Sequence, residues 1–322
     1  MTTATFLTPI QENILRVEER MRAQAELDNH PDLRGALEQL LASGGKRVRP
    51  MVVLLAGGML GAEPDKLVTL GAAVEMLHTA TLVHDDLIDS ALLRRGMATL
   101  NSKWSPAATV LTGDFLFARA ARLAADIDNV RLMKKFAETL ATIVNGELTQ
   151  LFAAHGVINR ENYYNRIYAK TASLFEMSAL SAGMLGTNDL ALQDTLRIYG
   201  YEIGMAFQMV DDILDFCGDQ NLVGKPLGSD LLQGLVTLPA IFYAEQHPTD
   251  PDVKTLHLGN WQDEASMLRL VDSIRHSDAV ELAMHEAISH VERALDALMP
   301  FPPSVEHDAL IDLARYIVDR SI

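Results

Sequence analysis

Two clusters of aspartates are the residues of this chain whose types and spacing could most readily do chemistry. The first reads Asp85-Asp86-Leu87-Ile88-Asp89 and the second Asp211-Asp212-Ile213-Leu214-Asp215, each with apolar residues in its gaps. On a helix, the first and third aspartates of each cluster lie about one turn apart on one face. Their oxygens suit Mg²⁺, which typically bridges one or two carboxylates to a substrate phosphate. One cluster alone is equally consistent with a solvated helix edge, but two in apolar segments favour a magnesium site for a phosphorylated substrate.

Cations beside glycines are the second feature of a chain that is otherwise acidic. With 27 Lys and Arg against 43 Asp and Glu, the formal net charge is −16, which argues against a nucleic-acid binder. The basic residues collect at four places, Lys46-Arg47-Val48-Arg49, Arg94-Arg95-Gly96, Lys170-Thr171 and Gly224-Lys225. Singly, such residues are usually surface solubilisers, whereas beside the aspartate clusters they predict binding of an anion.

Helices must position these residues, because apolar residues recur at three- and four-residue intervals in almost every window of the chain. The chain is therefore predicted to be all-α and a single domain over 1–322, and segment 247–262 is expected to be a surface loop. The predicted helices run near 11–28, 33–43, 47–61, 65–91, 105–126, 130–154, 160–185, 189–217, 230–246, 263–275, 279–298 and 305–320.

The cysteine content and the apolar stretches of the sequence indicate the cellular setting. The single cysteine, Cys217, excludes an intrachain disulfide framework and favours a reducing, cytoplasmic setting. The first residues lack the basic and apolar segments of a signal peptide. No apolar stretch reaches the roughly 20 residues that span a bilayer, and the best of them is 51–62. No integral membrane segment is therefore expected.

The ordered set of motifs along the whole chain resembles the trans-isoprenyl diphosphate synthases, also called polyprenyl synthetases. The matching motifs are Gly44–Pro50, the first aspartate cluster with Arg94-Arg95-Gly96, Gly113-Asp114, Gly146-Glu147, Gln150, Lys170-Thr171, Phe207-Gln208 with the second cluster, Gly224-Lys225-Pro226 and Tyr316–Arg320. The resemblance implies a bundle of roughly 12 antiparallel helices around a deep central cavity, normally as a homodimer. It also implies a transferase that adds isopentenyl diphosphate head to tail to an allylic diphosphate.

The resemblance further implies a role for each matching residue. Its metal ligands, for about three Mg²⁺ ions per active site, are Asp85, Asp89 and Asp211, with Asp86, Asp212 and Asp215 as further ligands or hydrogen-bond acceptors around them. The allylic diphosphate is expected to contact Arg94, Lys170 and Lys225. Isopentenyl diphosphate is expected to contact Lys46, Arg49, His78 and Arg95, with Phe207 at its tail. Thr171 and Gln208 are expected to stabilise the allylic cation or to orient the substrate.

Product length is predicted from the residues one to two turns before the first aspartate cluster, where relatives with short products often carry aromatic side chains. Here Ala80 and Thr81 are small, with Leu77 as the next candidate for a floor. Small side chains at this depth leave room for a growing chain. We therefore expect an all-trans product between hexaprenyl and decaprenyl, as used for quinone tails, with geranylgeranyl or farnesyl as the alternative.

Two residues that depart from the family pattern bear on substrate affinity, and two rival functions stay open. Leu92 stands where many relatives have an acid, and Leu235 stands where many have a lysine, so an altered substrate affinity is expected. Terpene cyclisation and head-to-head condensation use similar metal-bound carboxylates, but the basic segment Gly44–Pro50 favours a second diphosphate site. A subunit of a heteromeric prenyl synthase is the other alternative, although such subunits tend to lose aspartates. Peripheral membrane contact during product release is left open.

Overall fold

The computed structural model of the chain describes residues 5–25, 31–42, 45–94, 96–152, 158–217 and 227–319. Within these residues the chain is almost entirely helical, and the only strands described form one short antiparallel hairpin, β1 (Leu93–Arg94) and β2 (Met97–Ala98). The prediction of an all-α fold is confirmed.

Fifteen α-helices follow a short 3₁₀ segment, Thr5–Ile10, in the described part of the chain. They are α1 (Gln11–Ala23), α2 (Pro31–Ala42), α3 (Val48–Met59), α4 (Pro64–Ile88), α5 (Pro106–Asp126), α6 (Val130–Phe152), α7 (Arg160–Ile167), α8 (Ser173–Gly186), α9 (Leu190–Cys217), α10 (Ser229–Leu232), α11 (Leu238–Gln246), α12 (Pro251–His257), α13 (Glu264–Arg275), α14 (Ala279–Leu298) and α15 (Val305–Asp319). One turn of π-helix, Tyr168–Ala172, joins α7 to α8.

Three predicted segments differ from the observed elements. The helix predicted over 160–185 is interrupted by the π-helical turn, and the one predicted over 230–246 is divided into α10 and α11. The loop predicted over 247–262 is wrong in part, because it contains α12. The Asp250 carboxylate caps this helix by accepting hydrogen bonds from the first backbone amides, and Pro251 fits the first helical position, where no amide donor is needed.

Two compact units can be distinguished by the density of contacts along the chain. The first consists of residues 1–138, 177–197 and 300–310, and the second of residues 139–176, 198–299 and 311–322. The single domain expected over 1–322 stays a prediction.

Helix α4 forms the centre of the first unit, where it packs against α1, α3 and α5. All its residues from Leu67 to Leu77 are buried. Among the described residues it is the one helix long and apolar enough to cross a membrane, and 78% of its most apolar 18-residue window is buried inside the protein. The expectation that no apolar stretch is long enough to span a bilayer is therefore wrong for α4, whose burial in the core accounts for its composition.

Candidate active site

The first aspartate cluster lies at the C-terminal end of α4. Asp85 is half-buried, Asp86 is buried, and Asp89 is exposed just beyond the last helical residue. The Asp86 carboxylate accepts a hydrogen bond from Nε of Arg94 at 2.7 Å. The middle aspartate is therefore held by a protein cation, while the outer two lie nearer the solvent.

The β1–β2 hairpin places Arg94 beside this cluster. Its base is tied to the end of α4, because the Ala91 carbonyl accepts hydrogen bonds from the Thr99 hydroxyl at 2.7 Å and from the Asn101 side-chain amide at 2.9 Å. Leu92, one of the two departures from the family pattern, is 66% exposed. The next predicted ligand, Arg95, lies outside the described residues, and Lys225 does as well.

His84 precedes the cluster and packs against α5. Its Nε2 lies 3.1 Å from the Val110 carbonyl oxygen, and its ring centroid lies 5.2 Å from that of Phe117. A Cβ atom at Gly113 would lie 2.1 Å from Nε2, so only glycine allows α5 to approach this closely. The glycine of the Gly113-Asp114 motif is therefore explained by its close packing against His84.

A cavity of about 90 Å³ lies in the first unit, between α4, the hairpin and the start of α3. Its polar lining includes Arg47, His78, Asp86, Arg94 and Lys103. The structure thus brings His78 and Arg94 to one cavity, and that they bind diphosphates stays a prediction. Of the other predicted isopentenyl diphosphate ligands, the two that the structure describes, Lys46 and Arg49, are not among the lining residues: Lys46 is exposed and Arg49 is buried.

Arg47 lines the cavity instead, although the sequence places it only within the basic segment and not among the individual ligands of isopentenyl diphosphate. Its backbone is left-handed, with φ of 51°, immediately before α3, a conformation that non-glycine residues adopt at a cost of about 1–3 kcal/mol. Its guanidinium is buried, with Nη1 3.0 Å from Glu75 and Nε 3.3 Å from Glu18. These two ion pairs connect the basic segment to α1 and α4.

The floor residues predicted for product length lie on the buried part of α4. Leu77 and Ala80 are fully buried. Thr81 is half-buried, and its hydroxyl donates to the His78 carbonyl at 2.8 Å. Their role in chain length stays a prediction.

The second aspartate cluster lies at the C-terminal end of α9, in the second unit. Asp211 is exposed, and Asp212 is buried. Asp215 accepts hydrogen bonds from the backbone amides of Ser229 and Asp230, each at 3.1 Å, and from the Ser229 hydroxyl at 2.7 Å. It therefore anchors the first turn of α10 to α9.

Asp212 accepts one hydrogen bond on each carboxylate oxygen, from the Tyr163 hydroxyl and from Nε2 of Gln208, both at 2.8 Å. The pKa of Asp212 is raised to about 7, mainly by burial and also by the nearby Asp230, against the lowering effect of the two hydrogen bonds and of Arg166. Burial also raises the pKa of the Tyr163 phenol well above its usual value, and the adjoining Asp212 adds to this. The phenol therefore stays protonated and acts as the donor.

The π-helical turn carries Lys170 and Thr171, and π-helical turns often occur at functional sites. The Thr171 hydroxyl donates to Oε1 of Gln208 at 2.6 Å. Three predicted site residues, Thr171, Gln208 and Asp212, are therefore connected in one hydrogen-bonded chain. Phe207 is half-buried beside them, with its ring centroid 5.3 Å from that of Phe175.

Helix α6 packs against this π-helical turn. Nζ of Lys170 lies 3.6 Å from a carboxylate oxygen of Glu147. A Cβ atom at Gly146 would lie 2.5 Å from the Cβ of Ala169, so glycine permits the close approach. The Gly146-Glu147 motif is thus explained by its contact with the lysine-bearing turn.

The oxygen ligands of each aspartate cluster suit a hard divalent cation. Asp85 and Asp89 lie at the end of α4, and Asp211 lies at the end of α9. Among the described residues, no group of three His, Cys, Asp or Glu side chains is arranged to hold a metal ion alone. Carboxylate oxygens suit Mg²⁺, which usually takes one or two carboxylates and fills its remaining positions with water and substrate phosphate oxygens.

The fold and these motifs define a class of helical enzymes that act on prenyl diphosphates. The chain belongs to the polyprenyl synthetase family, whose model matches residues 30–274, and it is a prenyltransferase. It is 35% identical over 284 residues to the octaprenyl diphosphate synthase of Escherichia coli (strain K12), which covers 87% of this chain and 88% of the relative.

Two further comparisons extend over nearly the whole chain. The chain is 34% identical to heptaprenyl diphosphate synthase component 2 of Geobacillus stearothermophilus, over 97% of both chains. It superimposes with a TM-score of 0.91 on the crystal structure of a polyprenyl synthase from Caulobacter crescentus CB15 complexed with calcium and isoprenyl diphosphate. That match has 32% identity and covers 99% of this chain and 98% of the other. The resemblance inferred from the sequence motifs is therefore confirmed.

Proposed function

We propose that this protein is a magnesium-dependent synthase of a long all-trans polyprenyl diphosphate. It would add isopentenyl diphosphate head to tail to an allylic diphosphate until the product reaches a length between hexaprenyl and decaprenyl. The observation that carries the proposal is the pair of aspartate clusters, each at the end of a long helix with a cation or a buried hydrogen-bond donor beside it. The long-chain names of the relatives support the product range.

The chemistry follows from the residues present. Asp85, Asp89 and Asp211 would hold about three Mg²⁺ ions, which when bound neutralise the charge that grows on the diphosphate as the carbon–oxygen bond breaks. Arg94, Lys170 and Lys225 would orient the allylic diphosphate. The groups proposed to bind isopentenyl diphosphate are Lys46, Arg49, His78 and Arg95. Holding both substrates in line supplies much of the rate enhancement.

The bond changes are those of a head-to-tail condensation. The double bond of isopentenyl diphosphate attacks the allylic carbon, a carbon–carbon bond forms, and diphosphate departs. A proton is then lost to the departing diphosphate, which restores a double bond. Thr171 and Gln208 would orient the reacting carbons from the hydrogen-bonded chain that they form with Asp212.

The deciding experiment is a product assay on the purified chain with Mg²⁺, isopentenyl diphosphate and farnesyl diphosphate. The dephosphorylated products are separated by chain length. A ladder that ends between hexaprenyl and decaprenyl is the expected result. A ladder that ends at geranylgeranyl would favour the short-chain alternative, and metal-dependent release of diphosphate without elongation would indicate a cyclase.

A second candidate is the catalytic component of a two-component synthase. It is favoured by one observation, the full-length similarity to a relative that is named as component 2. The same assay separates the two, because a two-component enzyme would be inactive as a single purified chain and would elongate only after its partner is added. Elongation by the chain alone would exclude this candidate.

We also propose a homodimer. Helix α6 exposes an apolar stripe at helical spacing, Val144, Leu148, Leu151 and Phe152, whose side chains are 43%, 46%, 60% and 81% exposed. Burial of these side chains against a second copy would remove them from water. Sedimentation equilibrium tests this directly, and a monomer at micromolar concentration would contradict it. We expect the enzyme to act in the cytoplasm, with membrane contact limited to product release.

A further inference from the structure

Tyr163 is the residue outside the recognised motifs that lies most directly against the second aspartate cluster. Its side chain is 1% exposed, and its hydroxyl donates to Oδ2 of Asp212 at 2.8 Å. The guanidinium carbon of Arg166 lies 5.5 Å from the centre of its ring, and Arg166 donates in turn to the Val236 carbonyl at 2.7 Å. Asp212 therefore holds the hydroxyl of Tyr163, and Arg166 packs against its ring.

The hydrogen bond from Tyr163 is the end of a continuous chain of four side chains. Gln208 donates to the other oxygen of Asp212 at 2.8 Å, and it accepts a hydrogen bond from Thr171 at 2.6 Å. Three separate elements, α7, α9 and the π-helical turn, are joined in this way. Asp212 has both carboxylate oxygens engaged by protein donors, so its orientation is fixed by them.

We infer that Tyr163 is a positioning residue for the metal site, acting through Asp212 on the turn of α9 that presents Asp211. The inference deepens the proposed function and rests on it. Residues that orient metal ligands from behind typically change metal affinity or activity by about 10–100-fold when they are removed. The competing explanation is that Tyr163 only satisfies a buried carboxylate, in which case its loss would lower stability and leave metal binding unchanged.

The chain offers a matched control in the next residue. The Tyr164 hydroxyl hydrogen-bonds to Glu286 on α14, away from the aspartate cluster, and the two tyrosine rings are 5.6 Å apart. Tyr163→Phe and Tyr164→Phe thus remove the same atom from neighbouring residues of one helix. Only the first removes a donor to Asp212.

The test measures Mn²⁺ binding to the full chain in the presence of inorganic pyrophosphate, by titration calorimetry, together with the Mg²⁺ dependence of elongation. Tyr163→Phe is expected to weaken Mn²⁺ binding about tenfold and to raise the half-saturating Mg²⁺ concentration equally. The KM for isopentenyl diphosphate at saturating Mg²⁺ should be unchanged. Tyr164→Phe should match the unaltered protein in all three quantities.

Several results would overturn the inference. Equal Mn²⁺ binding by the two variants would do so, even if Tyr163→Phe melts at a lower temperature, and so would a lack of Mn²⁺ binding by the unaltered protein. Should Tyr163→Phe fail to fold, Gln208→Leu removes the other donor to Asp212 and must weaken Mn²⁺ binding in the same direction. Normal Mn²⁺ binding without elongation in the unaltered protein would refute the proposed function alone, because the binding comparison still decides the role of Tyr163.

Discussion

Replacing Arg47 by methionine should strongly destabilise the first unit of the protein. The side chains of Arg47 and Glu75 are 9% and 6% exposed, and their ion pair is 3.0 Å long. Removing the guanidinium leaves the Glu75 carboxylate buried without its cation. Breaking a buried pair in this way typically costs about 3–5 kcal/mol, whereas replacing both partners with apolar residues is often neutral. We therefore expect Arg47→Met to lower the free energy of unfolding by about 3–5 kcal/mol.

The control for this prediction is an exposed ion pair in the same unit. Arg16 lies 3.0 Å from Asp65, but these side chains are 37% and 55% exposed, and Asp65 keeps a second partner in Arg20. Exposed pairs contribute about 0–1 kcal/mol, so Arg16→Met should cost no more than that. The contrast isolates the effect of burial, since both substitutions remove one arginine.

The measurement is urea unfolding of the full chain for Arg47→Met, Glu75→Leu, the double variant and the Arg16→Met control. The double variant should be markedly more stable than the sum of its single changes predicts, by about 2 kcal/mol or more. The reasoning would be refuted by a loss below about 1 kcal/mol in Arg47→Met or by additive effects in the double variant.

Three further predictions concern the aspartate clusters and product length. Asp85→Ala and Asp211→Ala should each reduce turnover by several orders of magnitude with an unchanged circular dichroism spectrum, and near-normal turnover would refute the metal assignment. Ala80→Phe should shorten the product, and an unchanged distribution would mean that the floor lies elsewhere. Because burial raises the pKa of Asp212 from 3.8 to about 7, the folded protein retains a proton that the unfolded chain releases, so stability without metal falls as pH rises between these values. The free energy of unfolding of Asp212→Asn, measured in urea relative to the unaltered protein, should therefore rise by about 3 kcal/mol from pH 5 to pH 8. A difference that stays constant with pH would contradict this.

The helices and the location of both aspartate clusters could be predicted from the sequence, because they depend on local periodicity. The clusters follow long apolar segments, and the structure has them at the ends of α4 and α9. Helix α12 could not be predicted from periodicity, because the short segment 247–262 contains Pro248, Pro251 and Gly259, which are typical of loops. Asp250 followed by Pro251 is nevertheless a start signal for a helix.

The residues that support the site could not be predicted in the same way. Tyr163 is 49 residues from Asp212 along the chain, and its position at a buried helical face is that of any core aromatic. Arg47 carries a clearer signal, since it stands within the basic segment. The left-handed backbone at Arg47 determines which of the three cations of the basic segment faces the cavity. No periodicity in the sequence specifies this conformation.

The hydrogen bonds around the two clusters also determine how a metal ion can be held. Asp86, Asp212 and Asp215 accept hydrogen bonds from protein donors. Among the described residues, no three His, Cys, Asp or Glu side chains form a group that could hold a metal ion. A Mg²⁺ ion that takes one or two carboxylates would complete its shell with water and phosphate oxygens. Metal and diphosphate should therefore bind together, so that neither is held tightly until the leaving group of the substrate is in place.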